Sequence, residues 1–289
     1  MAHAVEHVSP PIRLSRGALE VHMVPAWQDN LIWLVVDREG RAAAVDGPVA
    51  DGVLTYCDEN DFTLTEIWNT HTHHDHIGIN LDLDKRGLLD DLTVRASASA
   101  PVAVPGLDHA YGDGDTFSFG GESVSVMLTE GHIDGHITFV VDDAAFTGDT
   151  MFVGGCGYLF DGPPRKMHDS LTRLAGLPDA TRVFCAHEYT QDNLRFAWSL
   201  EPENEDLAQR IQAVWRVREE GRCTVPTTIG DEKRTNPFLR HRSLAIRAKV
   251  KEHFPDVALD DPATVFAATR KLKDKKLYKA LKEVDLPLG

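Results

Sequence analysis

The segment Thr70-His71-Thr72-His73-His74-Asp75-His76 constrains this chain more than any other feature. Four of its 14 histidines fall within six residues here. Buried without a cation, so many imidazole and carboxylate groups would leave polar atoms unsatisfied. The segment follows Thr63–Trp68, which reads as a strand, so it sits in the loop at that strand's C-terminal end. Active sites of α/β proteins favour that edge. Residues two apart in an extended segment point the same way, so His71 and His73 can aim two imidazoles at one ion. A turn then brings Asp75 and His76 to a neighbouring place. Imidazole and carboxylate suit zinc, iron or manganese.

Three further candidates stand at predicted strand ends: His132 after Val124–Leu128, Asp149 in Phe146-Thr147-Gly148-Asp149-Thr150, and His187 after Arg182–Cys185. Two ions can then be satisfied, one by His71, His73 and His132, the other by Asp75, His76 and His187, with Asp149 as the natural bridge. His74 is expected to point away, and His136 to make a supporting hydrogen bond. Cys156, in Gly155-Cys156-Gly157, could suggest a nucleophilic thiol, but the nearby histidines serve better as ligands.

The chain has 289 residues, room for one large domain or for one with a smaller appendix. Hydrophobic residues at 42% and charged residues at 26% predict a packed core rather than disorder. Strand-like and helix-like runs alternate up to about residue 190, and helical runs follow: Gln191–Leu200, Glu203–Glu220, Arg240–His253 and Pro262–Lys282. We expect a layered α/β catalytic domain over residues 1–190 and a helical domain over 191–289. There is no 18-residue apolar run, no apolar leader and no CxxC pair among four cysteines, which reads as a cytoplasmic chain with reduced thiols. A net charge of −15 disfavours nucleic acid and anionic membranes as partners. A monomer or weak homo-oligomer is expected.

The pattern His71-x-His73-x-Asp75-His76 with His132, Asp149 and His187 resembles the metallo-β-lactamase superfamily. Within it the chain is similar to glyoxalase II, the hydroxyacylglutathione hydrolases. The similarity runs through Asp29-Asn30, Pro105-Gly106, Asp113-Gly114-Asp115, Gly155-Cys156-Gly157, His187-Glu188-Tyr189-Thr190, Asn236-Pro237-Phe238 and Arg270-x-x-Lys273-Asp274. The resemblance implies an αβ/βα four-layer sandwich, a dinuclear centre and a helical C-terminal domain that helps bind glutathione. It implies two divalent ions per chain, zinc first, with iron or manganese as alternatives. Its substrate contacts carry over to Tyr158, Phe160, His187, Glu188, Tyr189, Arg270 and Lys273. Arg270–Lys282 holds seven Lys/Arg against one Asp, and such cations would favour the two carboxylates of glutathione. The family usually has a basic residue where Tyr158 stands; tyrosine donates a hydrogen bond but is uncharged at neutral pH.

The implied reaction is hydrolysis of a glutathione thioester. Hydroxide made available near neutral pH attacks the carbonyl, with Asp75 as the catalytic residue that holds and orients it. Alternatives are a lactonase, a thioesterase for another thiol, or a one-iron persulfide dioxygenase. The intact set Asp75, His76 and His187 argues against the last.

Overall fold

The computed structural model describes residues 3–288. The first sheet orders β1 (Ile12–Arg13), β2 (Leu19–Ala26), β3 (Asn30–Asp37), β4 (Arg41–Val45), β5 (Thr63–Trp68), β6 (Thr93–Ser97) and β7 (Leu107–Tyr111) as they occur in the chain. Helices α1 (Asp51–Glu59) and α2 (His74–Lys85) pack on its outer face. A meander follows: β8 (Thr116–Phe119), β9 (Glu122–Leu128), β10 (Ile137–Val141) and β11 (Ala144–Gly148). Next come a short hairpin of β12 (Met151–Phe152) and β13 (Gly155–Cys156), helix α3 (Pro164–Ala175), and β14 (Arg182–Cys185) parallel to β11. The remainder is α4 (Thr190–Leu200), α5 (Glu205–Glu219), β15 (Thr227–Thr228), α6 (Ile229–Thr235), α7 (Leu244–His253) and α8 (Pro262–Asp274).

β3 shows why the layers stack as they do. Every residue of Asn30–Asp37 is buried, the mark of a strand covered on both faces. Leu31, Trp33 and Val35 face the second sheet, while Ile32, Leu34 and Val36 face the helices. The same alternation on β4 puts Ala43 and Val45 between the sheets and Ala42 and Ala44 under the helices. A third apolar cluster joins the second sheet to α3 and the later helices. The result is the expected order of helices, sheet, sheet, helices. Trp68 anchors the middle, fully buried, with the rings of Phe117, Phe119 and Phe139 at 5.1–5.5 Å. Trp68→Ala is expected to cost about 3–5 kcal/mol, readable as a lower denaturant midpoint.

The change of character near residue 190 is one of element type, not a break in the core. Met151, Cys156, Met167 and Val183 share one cluster with Phe196, Phe238, Ile246 and Phe266. β15 also returns to the second sheet, pairing with β14. Some expected elements are redrawn. α2 begins at His74, so Asp75 and His76, expected in a loop, lie in a helical first turn. The expected helix over 262–282 stops at Asp274, because Lys276 takes a left-handed conformation (φ 56°). Strands β6 and β7 carry little strand signal in the sequence: Arg95 interrupts the apolar pattern of β6, and β7 is almost wholly exposed.

All four cysteines are buried and unpaired. Burial pushes their thiols up, to about 11 for Cys57 and Cys156 and about 12 for Cys185. Cys156 thus lacks the exposed, low-pKa setting of a nucleophilic thiol. No helix among the described residues is long and apolar enough to cross a membrane.

Candidate metal centre

Strands β4, β5 and β6 run parallel, as do β11 and β14, and the chain leaves each at the same edge of the sandwich. β5 delivers Thr70–His73, β11 delivers Asp149 and β14 delivers His187. The loop after β9 brings in His132. Two backbone hydrogen bonds tie the sheets together there, Leu31 N to Ala186 O at 2.7 Å and Glu188 N to Asp29 O at 3.0 Å.

His71, His73, His132 and Asp149 form one group of converging donor atoms, and Asp75, His76 and His187 form another. In the first, His73 Nδ1 stands 3.1 Å from His71 Nε2 and 2.9 Å from His132 Nε2. In the second, Asp75 Oδ2 stands 3.6 Å from His76 Nε2 and 3.3 Å from His187 Nε2. Asp149 divides its oxygens between them. Oδ2 lies 3.4 Å from His132 Nε2, while Oδ1 lies 3.5 Å from His76 Nε2 and 3.4 Å from His187 Nε2. Donors bonded at about 2.1 Å to one tetrahedral cation stand about 3.4 Å apart, so both groups have the right spacing. His76 Nε2 and Asp149 Oδ1 are also buried with no hydrogen-bond partner among the described residues. Such orphans are costly unless something binds them. The cluster can therefore bind metal ions.

The outer nitrogens of three of these histidines are hydrogen-bonded as well, which fixes their orientation. His187 Nδ1 meets Asp29 Oδ1 at 2.8 Å, His132 Nδ1 meets the Tyr158 carbonyl at 2.7 Å, and His71 Nδ1 meets Thr70 Oγ1 at 3.0 Å. His76 Nδ1 lies 3.0 Å from Asp46 Oδ2. Asp46 also accepts from Thr70 N at 2.8 Å and from Thr70 Oγ1 at 2.7 Å. Asn30 Nδ2 donates to Asp75 Oδ2 at 3.0 Å. Sequence reasoning missed Asp46 altogether; its signal was a carboxylate closing the apolar strand β4. Gly157 explains the close backbone here: a Cβ on it would come within 2.1 Å of Asp149 O and 2.8 Å of His132 Nδ1.

Burial pushes His71, His73 and His132 down, but around the second group the field favours positive charge. Burial opposes a charge on His187, but Asp149, Asp29 and Asp75 outweigh it and hold the ring up at about 10. Burial likewise opposes the Asp75 charge, yet His187, His76 and Asn30 hold that carboxyl well below the usual range. His136 is buried beside the centre, where its Nε2 accepts from Asp149 N at 3.1 Å. His74 stacks on Trp27 away from the ligands.

The remaining expected residues divide. Phe160 sits edge-on to His73 and His132 at 5.1 and 5.3 Å, beside Tyr158. Tyr189 stacks flat on His187 at 4.8 Å. Those three aromatics are substantially exposed at the mouth of the site. Glu188 is not part of this rim: it is buried, accepting from Thr224 N at 2.6 Å and from Thr224 Oγ1. Its exchange for a substrate contact would break the link between the loop after β14 and Thr224. Arg270 and Lys273 are both buried. Arg270 donates to Asp274 and to the Cys156 carbonyl, and Lys273 to Asn193 Oδ1 at 2.7 Å and to Asp192.

The metallo-β-lactamase superfamily model matches residues 37–187, and the model for the hydroxyacylglutathione hydrolase C-terminus matches residues 188–276. A hydroxyacylglutathione hydrolase of Pseudomonas savastanoi pv. phaseolicola is 43% identical over 265 residues, 89% of this chain and 99% of its own. Another, from Maricaulis maris, is 43% identical over 260 residues, 89% of this chain and 98% of its own. The crystal structure of ETHE1 from Myxococcus xanthus is similar with a TM-score of 0.55 at 27% identity, over 83% of this chain and 91% of its own. Matched along both its parts, with a ligand-ready His/Asp cluster on the metallo-β-lactamase fold, this thioester hydrolase belongs to the hydroxyacylglutathione hydrolase family.

Proposed function

We propose that the protein hydrolyses S-(2-hydroxyacyl)glutathione thioesters, S-D-lactoylglutathione to D-lactate and glutathione, as the second step of methylglyoxal detoxification. The observation that carries the two-ion reading is Asp149, whose oxygens are shared between two donor groups. His71, His73 and His132 would hold one divalent cation, Asp75, His76 and His187 the other, with Asp149 between them. Zinc fits the tetrahedral spacing, and iron and manganese accept the same donors. When bound, such ions supply a water of lowered pKa and positive charge to polarise a carbonyl.

The chain's own residues do the rest. Asp75, locked by Asn30, accepts a hydrogen bond from the attacking water and so orients it. Phe160 and Tyr189 flank the ligands as flat apolar walls for the substrate, with Tyr158 as a hydroxyl donor at the rim. Arg270 and Lys273 lend positive charge to the glutathione side. The leaving thiolate, from a thiol with a pKa near ~8.5, departs without a dedicated acid.

The test is the rate on S-D-lactoylglutathione with metal-analysed protein, run beside a simple lactone and a non-glutathione thioester. A strong preference for the first, with two metals per chain, is expected; equal or better activity on the others overturns the substrate assignment. Lys273 adds a pH dependence. Burial pushes its ammonium down to about 8, against the pull of Asp192. Its charge is lost as pH rises through that value, so KM for the glutathione thioester is expected to rise between about pH 7 and about pH 9. A KM flat across that range would remove Lys273 from thiol binding.

A further inference from the structure

Each of four consecutive residues leading from the bridging carboxylate to the aromatic rim has one backbone group held by a side chain from the helical part. Val153 O accepts from Asn193 Nδ2 at 3.0 Å, and Gly154 N donates to Glu232 Oε2 at 2.9 Å. Gly155 O accepts from Asn236 Nδ2 at 2.9 Å, and Cys156 O from Arg270 Nη1 at 3.2 Å. Asn193 comes from α4, Glu232 from α6, Asn236 from its C-terminal end and Arg270 from α8. All four side chains are buried. Glu232 is the hub: it also pairs with Arg210 Nη2 at 2.5 Å and accepts from Thr227 Oγ1 at 2.9 Å and Asn236 Nδ2 at 2.8 Å. The fit leaves no room at Gly155, where a Cβ would fall 2.5 Å from Asn193 Cγ.

The strip has metal-centre residues at both ends. Asp149 lies just before it, and Tyr158, whose carbonyl fixes His132, lies just after. We infer that Glu232 and Asn236 are positioning residues for the metal centre, acting through the backbone of residues 153–156. Apolar contacts alone would bring the helices to the sheet, as the shared cluster around Met151 and Phe238 does. A buried polar network is costly unless every member is satisfied, and what it adds is a defined geometry. The strip also joins the two halves of the proposed reaction, since Asn193 accepts from Lys273 while donating to Val153 O. In that respect the inference rests on the function proposed above.

The experiment compares Asn236→Ala and Glu232→Gln with Val250→Ala, a cavity variant of the buried face of α7. Each is read by unfolding midpoint, by the visible spectrum of the cobalt(II)-loaded protein, and by kcat and KM on S-D-lactoylglutathione. Asn236→Ala is expected to lower kcat about tenfold with KM within about twofold, and to alter the cobalt spectrum. Val250→Ala should lower the midpoint while leaving spectrum and kcat unchanged. Glu232→Gln keeps the shape but swaps one of the two acceptor oxygens for a donor, so it too should lower kcat and alter the spectrum, and it decides the matter should Asn236→Ala not fold. A wild-type spectrum and kcat in the folded variants, or the same changes in Val250→Ala, overturns the inference. The spectrum needs no substrate: failure of the wild type to cleave S-D-lactoylglutathione would sink the proposed function and leave this comparison intact.

Discussion

Asp149→Ala is expected to abolish turnover and to strip metal from both halves of the centre. Its two oxygens face separate donor groups, so no other single side chain touches both ions in the proposed arrangement. Loss of a partner outside the ligand set typically costs about 10–100-fold in metal affinity or activity, so loss of a shared ligand should cost more than about 10³-fold. His73→Ala provides the contrast. It belongs to the first group only, so it should lower metal content toward one per chain while also stopping catalysis. Metal analysis beside steady-state rates separates the cases. Full activity with normal metal content in Asp149→Ala would end the two-ion reading.

The second large effect is expected at Asp46, which touches neither substrate nor the converging donor atoms of the two groups. Its carboxylate holds the Thr70 amide, the Thr70 hydroxyl and His76 Nδ1 from the end of β4. Asp46→Ala leaves three buried polar groups without it. Breaking a buried charged pair by removing one partner costs about 3–5 kcal/mol, and that loss should appear in denaturant unfolding. Metal affinity, measured by competition with a chelator, should fall by about 10–100-fold, because His76 is no longer oriented. Asp46→Asn keeps an acceptor for the Thr70 amide and should recover much of the stability but less of the affinity. An Asp46→Ala protein with unchanged affinity would make Asp46 a folding residue alone.

Ligand density made the centre legible in the sequence, because so many metal-binding side chains in one short loop have few other uses. The strands of the central layers were legible for a similar reason: buried runs such as Leu31–Asp37 carry apolar residues at almost every place. What escaped were residues whose partners lie far along the chain. Asp46 and Asn30 take their meaning from Thr70, His76 and Asp75, contacts across 24 to 45 residues that no local pattern encodes. The start of α2 escaped because no capping side chain announces it: His73 occupies the cap and makes no cap hydrogen bond. Glu188 is a different case. Its place beside His187 and Tyr189 suggested a shared role, but the backbone turns its carboxylate toward Thr224. β15 and α6 were too short to show a period, although Thr228 caps α6 through a hydrogen bond from Asp231 N at 3.1 Å.

The buried cysteines gain meaning from the proposed product. An enzyme that releases glutathione works among that thiol and its oxidised dimer, and any accessible protein thiolate there would exchange into a mixed disulfide. Attack requires a thiolate in reach, and Cys57, Cys156, Cys185 and Cys223 offer neither exposure nor ionisation. The protein is in this sense deaf to the redox balance of its surroundings. Its turnover should hold steady as the ratio of oxidised to reduced glutathione climbs.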